Sequence, residues 1–213
     1  GDLDIYALMI DRSQLRITRN LTINPADDTA PAWSPTGERM AFVSSRSGRP
    51  NVFLMSPDGE QVTQLTYFNR QHEHVHMLSW SPDGRYIAFT SNYERDWQLY
   101  VMRADGSNMH RACDGQIITS AIDWSPDGRY IAFVTNADEN QNDELYLLDL
   151  INGETQQLTA DHYWNSEPQW SPDGTSIVYR SHRSGVFQLY MYDIRTGSTQ
   201  PIYDVNRLAG TDP

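Results

Sequence analysis

An all-β fold of repeated four-stranded antiparallel blades, a β-propeller, is what this sequence predicts, and three observations predict it. A ten-residue run occurs four times, as WSPTGERMAF from Trp33, WSPDGRYIAF from Trp80 and again from Trp124, and WSPDGTSIVY from Trp170. The four tryptophans stand 47, 44 and 46 residues apart, a period that belongs to blade repeats. Between copies, short runs rich in β-branched and aromatic residues are bounded by Asx-Gly turns, which is how strands joined by hairpins read.

Taken in order, residues 1–22 read as half a blade: a strand over Ile5 to Ile10, a turn at Asp11-Arg12-Ser13 and a second strand over Leu15 to Leu21. Full blades follow over 23–66, 67–113, 114–159 and 160–203, and 204–213 starts another. The closing Gly210-Thr211-Asp212-Pro213 aligns with Asn165-Ser166-Glu167-Pro168, just ahead of Trp170. Four full blades and a split or incomplete fifth therefore make one domain, 1–213. Two readings of its closure stay open: a five-bladed ring whose ends share a blade, or a segment of a six- or seven-bladed propeller.

Within a blade, the first strand ends at the Trp. The Ser-Pro-Asp-Gly turn follows, with Pro presetting φ and Gly taking the left-handed position that closes the hairpin. The second strand carries Ile/Met-Ala-Phe or Ile-Val-Tyr. The third and fourth strands follow, as at Asn51 to Met55 and Gln61 to Thr66. Polar and apolar residues alternate imperfectly because blades pack face to face and bury both sides. The repeated aromatics are read as the core between blades.

Composition narrows the function. A net charge of −12 argues against a nucleic-acid backbone as partner, since phosphate binding needs a basic surface. Cys113 is the only cysteine, so no intrachain disulfide forms. No apolar run is long enough to span a bilayer, and no membrane insertion is expected. No secretory leader opens the chain, although Gly1 is compatible with a processed start.

The four W-S-P-D-G-x-x-I-A-F runs resemble the repeat of the TolB-type, or WD-like, β-propellers. Only Thr36 departs from the turn's Asp, and Ile177-Val178-Tyr179 is a mild variant of Ile-Ala-Phe. The resemblance implies protein–protein interaction and a periplasmic or extracellular setting in bacteria. In the family's founding member the propeller is similar to a docking platform for a peptidoglycan-associated lipoprotein. The same repeats also occur in serine peptidases and in sugar-processing enzymes, and a fold does not choose among functions.

A site is expected on the irregular loops. The turn after the first strand and the turn after the third are short and uniform. The connections on the other rim vary, and recognition usually lives on such loops. They carry Tyr67, Phe68, Arg70, Tyr93, His162, Tyr163, Trp164 and Arg183, with Trp97 opening the adjoining strand. Aromatic and Arg side chains are the usual anchors of protein interfaces. We expect a protein or peptide partner here, with Arg70 and Arg183 aimed at its carboxylates.

His72, His74 and His76 alternate along one strand, and imidazoles suit zinc, copper or nickel. In a regular strand His76 shares a side with Leu78 and Trp80. The carboxylate or Cys ligand of a strong zinc set is missing, so no metal and no cofactor is expected. Asp138-Glu139-Asn140-Gln141-Asn142-Asp143-Glu144 starts like a calcium loop, but Asp143 replaces the turn glycine and Asp149 the bidentate Glu. A solvated acidic hairpin is the better reading. No G-x-S-x-G elbow and no catalytic constellation is present. The chain is therefore expected to be a non-enzymatic binding scaffold. The alternatives are a metal-dependent lyase or hydrolase propeller, or a propeller fragment of a larger enzyme, using the three histidines. A third is an isolated or engineered segment that self-associates through its open terminal blades.

Overall fold

The computed structural model describes residues 2–11, 14–70, 72–114, 118, 120–136 and 142–202. The start of a further blade at 204–213 lies outside them. The chain divides into two compact units, Gly1–Ala112 and Cys113–Pro213. Among the described residues every regular element is a strand, and no helix is long and apolar enough to cross a membrane.

The first unit opens with a two-stranded half sheet, β1 (Tyr6–Asp11) and β2 (Gln14–Asn20). The first full sheet follows: β3 (Asp28–Trp33), β4 (Met40–Ser44), β5 (Asn51–Met55) and β6 (Thr63–Gln64). The second full sheet is β7 (Val75–Trp80), β8 (Tyr86–Ser91), β9 (Gln98–Arg103) and β10 (His110–Arg111). The second unit holds the third full sheet, β11 (Asp123–Trp124), β12 (Tyr130–Thr135), β13 (Glu144–Asp149) and β14 (Thr155–Gln157). It also holds the fourth: β15 (Asn165–Trp170), β16 (Ser176–Ser181), β17 (Gln188–Asp193) and β18 (Thr199–Pro201). In each full sheet neighbours in sequence are neighbours in space, and every pairing is antiparallel, the meander of a propeller blade.

The recurring Ser-Pro-Asp-Gly turn has a local cause. The Ser hydroxyl donates to the Asp carboxylate at 2.6 Å in Ser81–Asp83, 2.5 Å in Ser125–Asp127 and 2.6 Å in Ser171–Asp173. The same hydroxyl accepts the N–H of the residue that starts the next strand, Tyr86, Tyr130 or Ser176, at 2.8–3.0 Å. The Asp carboxylate accepts a third bond from the backbone two residues on. These bonds hold each Asp below its ordinary pKa, the side-chain bond from Ser contributing most, and Asp173 comes down to about 2. Thr36 offers only a hydroxyl 3.4 Å from Ser34, and Arg39 N–H still reaches Ser34 Oγ at 3.1 Å.

Packing repeats as the motif does. Every residue of β4 and of β5 is buried, so two-sided burial replaces strict alternation, as expected of face-to-face sheets. Within the first unit, Ala41, Val43, Val52 and Leu54 of the first full sheet meet Ile87, Phe89, Tyr100 and Met102 of the second. Within the second unit, Ala132, Val134, Leu145 and Leu147 meet Ile177, Tyr179, Tyr190 and Tyr192. In each unit one full sheet thus offers a small aliphatic face and the other receives it on an aromatic-rich face. Each fully buried Phe or Ile contributes about 1.5–3 kcal/mol relative to exposure.

The first strand of a sheet is not regular. The pairing register slips between Thr29 and Ala32, between His76 and Ser79, and between Ser166 and Gln169. Ala30, Met77 and Glu167, each three residues before a Trp, have φ of 49°, 50° and 54°. These bulges re-aim the residues ahead of them.

Candidate functional site

The irregular connections are fastened to the sheets from beneath by buried polar side chains. In the first unit, Asn51 opens β5 at 1% exposure. Its Oδ1 accepts from Phe68 N–H at 2.7 Å and Thr66 Oγ1 at 2.9 Å, and its Nδ2 donates to Phe68 O at 3.1 Å. Glu144, fully buried, opens β13 in the second unit. Its carboxylate accepts from Thr159 Oγ1 at 2.5 Å, His162 N–H at 2.8 Å and Asn165 Nδ2 at 3.1 Å. A buried carboxylate held by three donors gives the loop above it one conformation.

On the first unit Tyr67 is 76% exposed, its hydroxyl donating to Gln64 O at 3.3 Å. Arg70 is open to solvent and lies 3.7 Å from Glu73. Glu73 is buried and caps the N–H groups of Asn69 and Arg70 at 2.7 Å each. Phe68 is placed differently from the expected exposed anchor. It is 5% exposed and stacks on Tyr93, ring centres 5.0 Å apart. The Asn51 clamp on its backbone turns the ring into the core, so Phe68 supports the loop and is not presented by it.

The histidines lie on a segment stitched to the second full sheet through its backbone. Asn92 receives His74 N–H and donates to His72 O, both at 2.7 Å. Ser91 Oγ donates to His74 O at 2.9 Å and Thr90 Oγ1 to His76 O at 3.1 Å. The three residues are exposed. His76 does not share a side with Trp80 as a regular strand requires, because the bulge at Met77 breaks the alternation. Its ring sits 5.0 Å from that of Trp97. Partial burial against its neighbours, and secondarily the nearby His74, lower its pKa. Among the described residues no three His, Cys, Asp or Glu side chains gather closely enough to hold a metal ion. Asp138, Glu139, Asn140 and Gln141, the start of the calcium-like stretch, lie outside the described residues, as does Gln71 of the histidine segment.

On the second unit Tyr163 and Trp164 are 45% and 59% exposed, and His162 is exposed with φ of 61°. Trp164 begins a row of rings: His182 lies 5.9 Å from it, and Phe187 5.2 Å beyond. Arg180 covers Phe187 at 4.8 Å while pairing with Glu167 at 2.9 Å. Arg183, expected to reach for a partner's carboxylate, is already engaged. It pairs with Asp161, donates to Tyr179 Oη at 2.6 Å and lies over Tyr190 at 4.4 Å. Burial first of all raises the Tyr179 pKa, and the guanidinium opposes it.

Sequence reasoning gave Asn51 and Glu144 no clamping role, Glu144 entering only as the end of the calcium-like stretch, and it passed over His182, Phe187 and Arg180. The first two carried a signal: the residue opening the third strand is Asn51, Gln98, Glu144 or Gln188 in the four full sheets, always polar and always followed by an aliphatic residue. The opposite, tight-turn face holds a cleft in each unit. One of about 380 Å³ lies between Thr36 and Asp83 over Trp80, and one of about 470 Å³ between Asp127 and Asp173 over Trp170.

Meander sheets with uniform turns after the first strands and varied loops elsewhere define a propeller-type fold. The chain belongs to the TolB beta propeller domain family, whose model matches residues 78–209. The relative "Tol-Pal system protein TolB" of Hahella chejuensis is 34% identical over 68 residues, covering 32% of this chain and 16% of its own. The crystal structure of TolB from Acinetobacter baumannii has a TM-score of 0.78 at 23% identity, over 93% of this chain and 48% of that one. A puromycin-hydrolyzing peptidase of Mycobacterium tuberculosis gives 0.68 at 17% identity, over 87% and 30%. The chain thus spans about half of the TolB structure and less than a third of the peptidase, and these structural likenesses speak for fold alone.

Proposed function

We propose that this chain is a non-enzymatic binding module that grips a protein or peptide partner through its irregular loops. The observation that supports it most is the display of Tyr67, Tyr163 and Trp164 on loops clamped from below by Asn51 and Glu144. Rigidly held rings bury large area on binding at little entropic cost, which suits them as interface anchors. Arg70, His72 and His74 add polar reach on the first unit. Trp97 and His76 act as a tilted ring pair beside them, and Tyr93 works from below through Phe68.

The TolB relatives, named for the Tol-Pal system, support a protein as the class of partner, and family resemblance supports a bacterial periplasmic setting. No observation favours the metal-dependent alternative, since the three histidines do not converge. The test immobilises the chain and its Tyr67→Ala and Trp164→Ala variants and captures proteins from a bacterial periplasmic extract. Loss of a captured protein in either variant, with its melting temperature unchanged, supports the proposal. Identical capture by all three proteins overturns it.

A further inference from the structure

The second and third full sheets share one backbone pattern where the second strand begins and the third ends, but they carry different charge there. In the third sheet Tyr130 pairs with Asp149 across β12 and β13, and Leu150 N–H donates to Arg129 O at 3.0 Å. That register sets the motif's Arg129 beside Asp149, whose Oδ2 accepts from Nη2 at 2.7 Å and from Nε at 3.2 Å. The same guanidinium lies over the Tyr130 ring at 4.9 Å. Cation, carboxylate and ring thus satisfy one another.

In the second sheet the backbone repeats this arrangement. Tyr86 pairs with Arg103 across β8 and β9, and Ala104 N–H donates to Arg85 O at 2.8 Å. A second cation, Arg103, now stands where the carboxylate was, and like charges set beside each other on a sheet repel. Arg85 is 80% exposed and Arg103 is exposed. Among the described residues neither guanidinium donates a hydrogen bond to a carboxylate, Asp83 Oδ2 lying 3.8 Å from Arg85 Nε. The carboxylates at this end serve their own turns. Asp83 Oδ1 accepts from Ser81 Oγ and Arg85 N–H, and Asp105 Oδ1 from Ser107 Oγ at 2.6 Å and Ser107 N–H at 2.9 Å. The Ser107 bonds hold Asp105 below its ordinary pKa, with Arg103 adding to them. A cleft of about 430 Å³ is lined by Arg85, Tyr86, Arg103, Ala104 and Asp105. Among the described residues no guanidinium covers the Tyr86 ring, which is 36% exposed.

We propose that this cleft binds a phosphate monoester, its dianion bridging Arg85 and Arg103 as Asp149 satisfies Arg129 in the third sheet. Guanidinium forks match phosphate oxygens in pairs. Two negative charges answer two cations, whereas a single carboxylate leaves one of them unmatched. The open face of Tyr86 offers the esterified group a ring to lie on. None of the loop residues assigned to partner capture lines this cleft, so either function can be lost without the other.

An NMR titration with phenyl phosphate at fixed ionic strength, following the arginine Nε–H signals, tests this. Saturable shifts at Arg85 and Arg103 are expected, reversed by inorganic phosphate and not by the same concentration of acetate. Arg103→Asp copies the pairing of the third sheet, so it weakens binding at least about tenfold without lowering the melting temperature. Asp83→Asn keeps the turn's acceptor oxygen but removes the competing charge, and tightens binding. Arg129→Gln, which removes a guanidinium already engaged, leaves binding unchanged. The proposal is overturned if the unmodified chain shows no saturable shift, or if binding survives Arg103→Asp. Displacement by acetate as effective as by phosphate, or an equal loss in Arg129→Gln, overturns it too. Should Arg103→Asp fail to fold, Arg85→Gln at its exposed position decides in the same way.

Discussion

Trp80 and Trp33 occupy the same position of the same motif in the same unit, yet one is 8% exposed and the other 49%. Trp80 lies against the preceding sheet and donates its indole N–H to Ala32 O at 3.0 Å. The sheet preceding Trp33 has only β1 and β2, which correspond to the third and fourth strands of a blade. Among the described residues no first strand lies beside Trp33 to receive it. A motif residue is thus core only where a neighbouring sheet completes its surroundings. The aromatic repeat prepares an interface, and the adjacent module makes it.

That contrast is open to direct attack. Trp80→Ala removes a buried ring and an indole hydrogen bond, and is expected to cost about 3–5 kcal/mol. Trp33→Ala is expected to cost about 1 kcal/mol or less. Urea midpoints of the two variants check this, and equal losses would mean that Trp33 is covered in solution. Glycines sharpen the comparison at smaller scale. Gly59 and Gly37 both have positive φ, at 80° and 71°. A Cβ on Gly59 would meet Leu21 O at 2.4 Å, whereas one on Gly37 meets nothing within 4 Å. Gly37→Ala carries only the backbone penalty, about 1 kcal/mol, and Gly59→Ala exceeds it by forcing the first full sheet away from the half sheet. Thermal midpoints should separate them in that order.

The turn carboxylates set an acid limit. Asp173 is held at about 2 against an ordinary 3.8. Its contribution is therefore complete above pH 3.8 and is lost as pH falls through about 2, because the unfolded chain takes up the proton first. Asp173→Asn should flatten that part of the stability–pH curve. The Thr36 turn, lacking a carboxylate, should add nothing to it. The smallest effect concerns His76. Its lowered pKa means that it titrates below 6.5, and Trp97→Ala should bring the midpoint back toward that value in a proton NMR titration, since burial is the main cause.

Much of the fold was legible because its determinants are local. Pro-Asp-Gly sets the turn, Ser and Asp close it with their own hydrogen bonds, and a recurring Trp marks the end of each first strand. The loop site was legible only as a region. Phe68 and Trp164 read alike as aromatic loop residues, but the Asn51 clamp buries the first, while the second stands at 59% exposure on a loop that Asn51 does not reach. Arg183 and Arg70 read alike as free cations, but Asp161 and Tyr179 occupy the first. His76 moved off its expected side because the bulge at Met77 leaves no trace that distinguishes it from a regular strand.

By itself, then, the amino-acid order determined the blade period, the hairpin chemistry and the acidic balance, since the first and last are read along the chain without folding it and the hairpins follow from neighbours a few residues apart. Only the tertiary structure decided which repeated aromatics are buried and which loop side chains are spoken for. Those depend on residues brought together from distant parts of a unit, and no local pattern encodes that proximity.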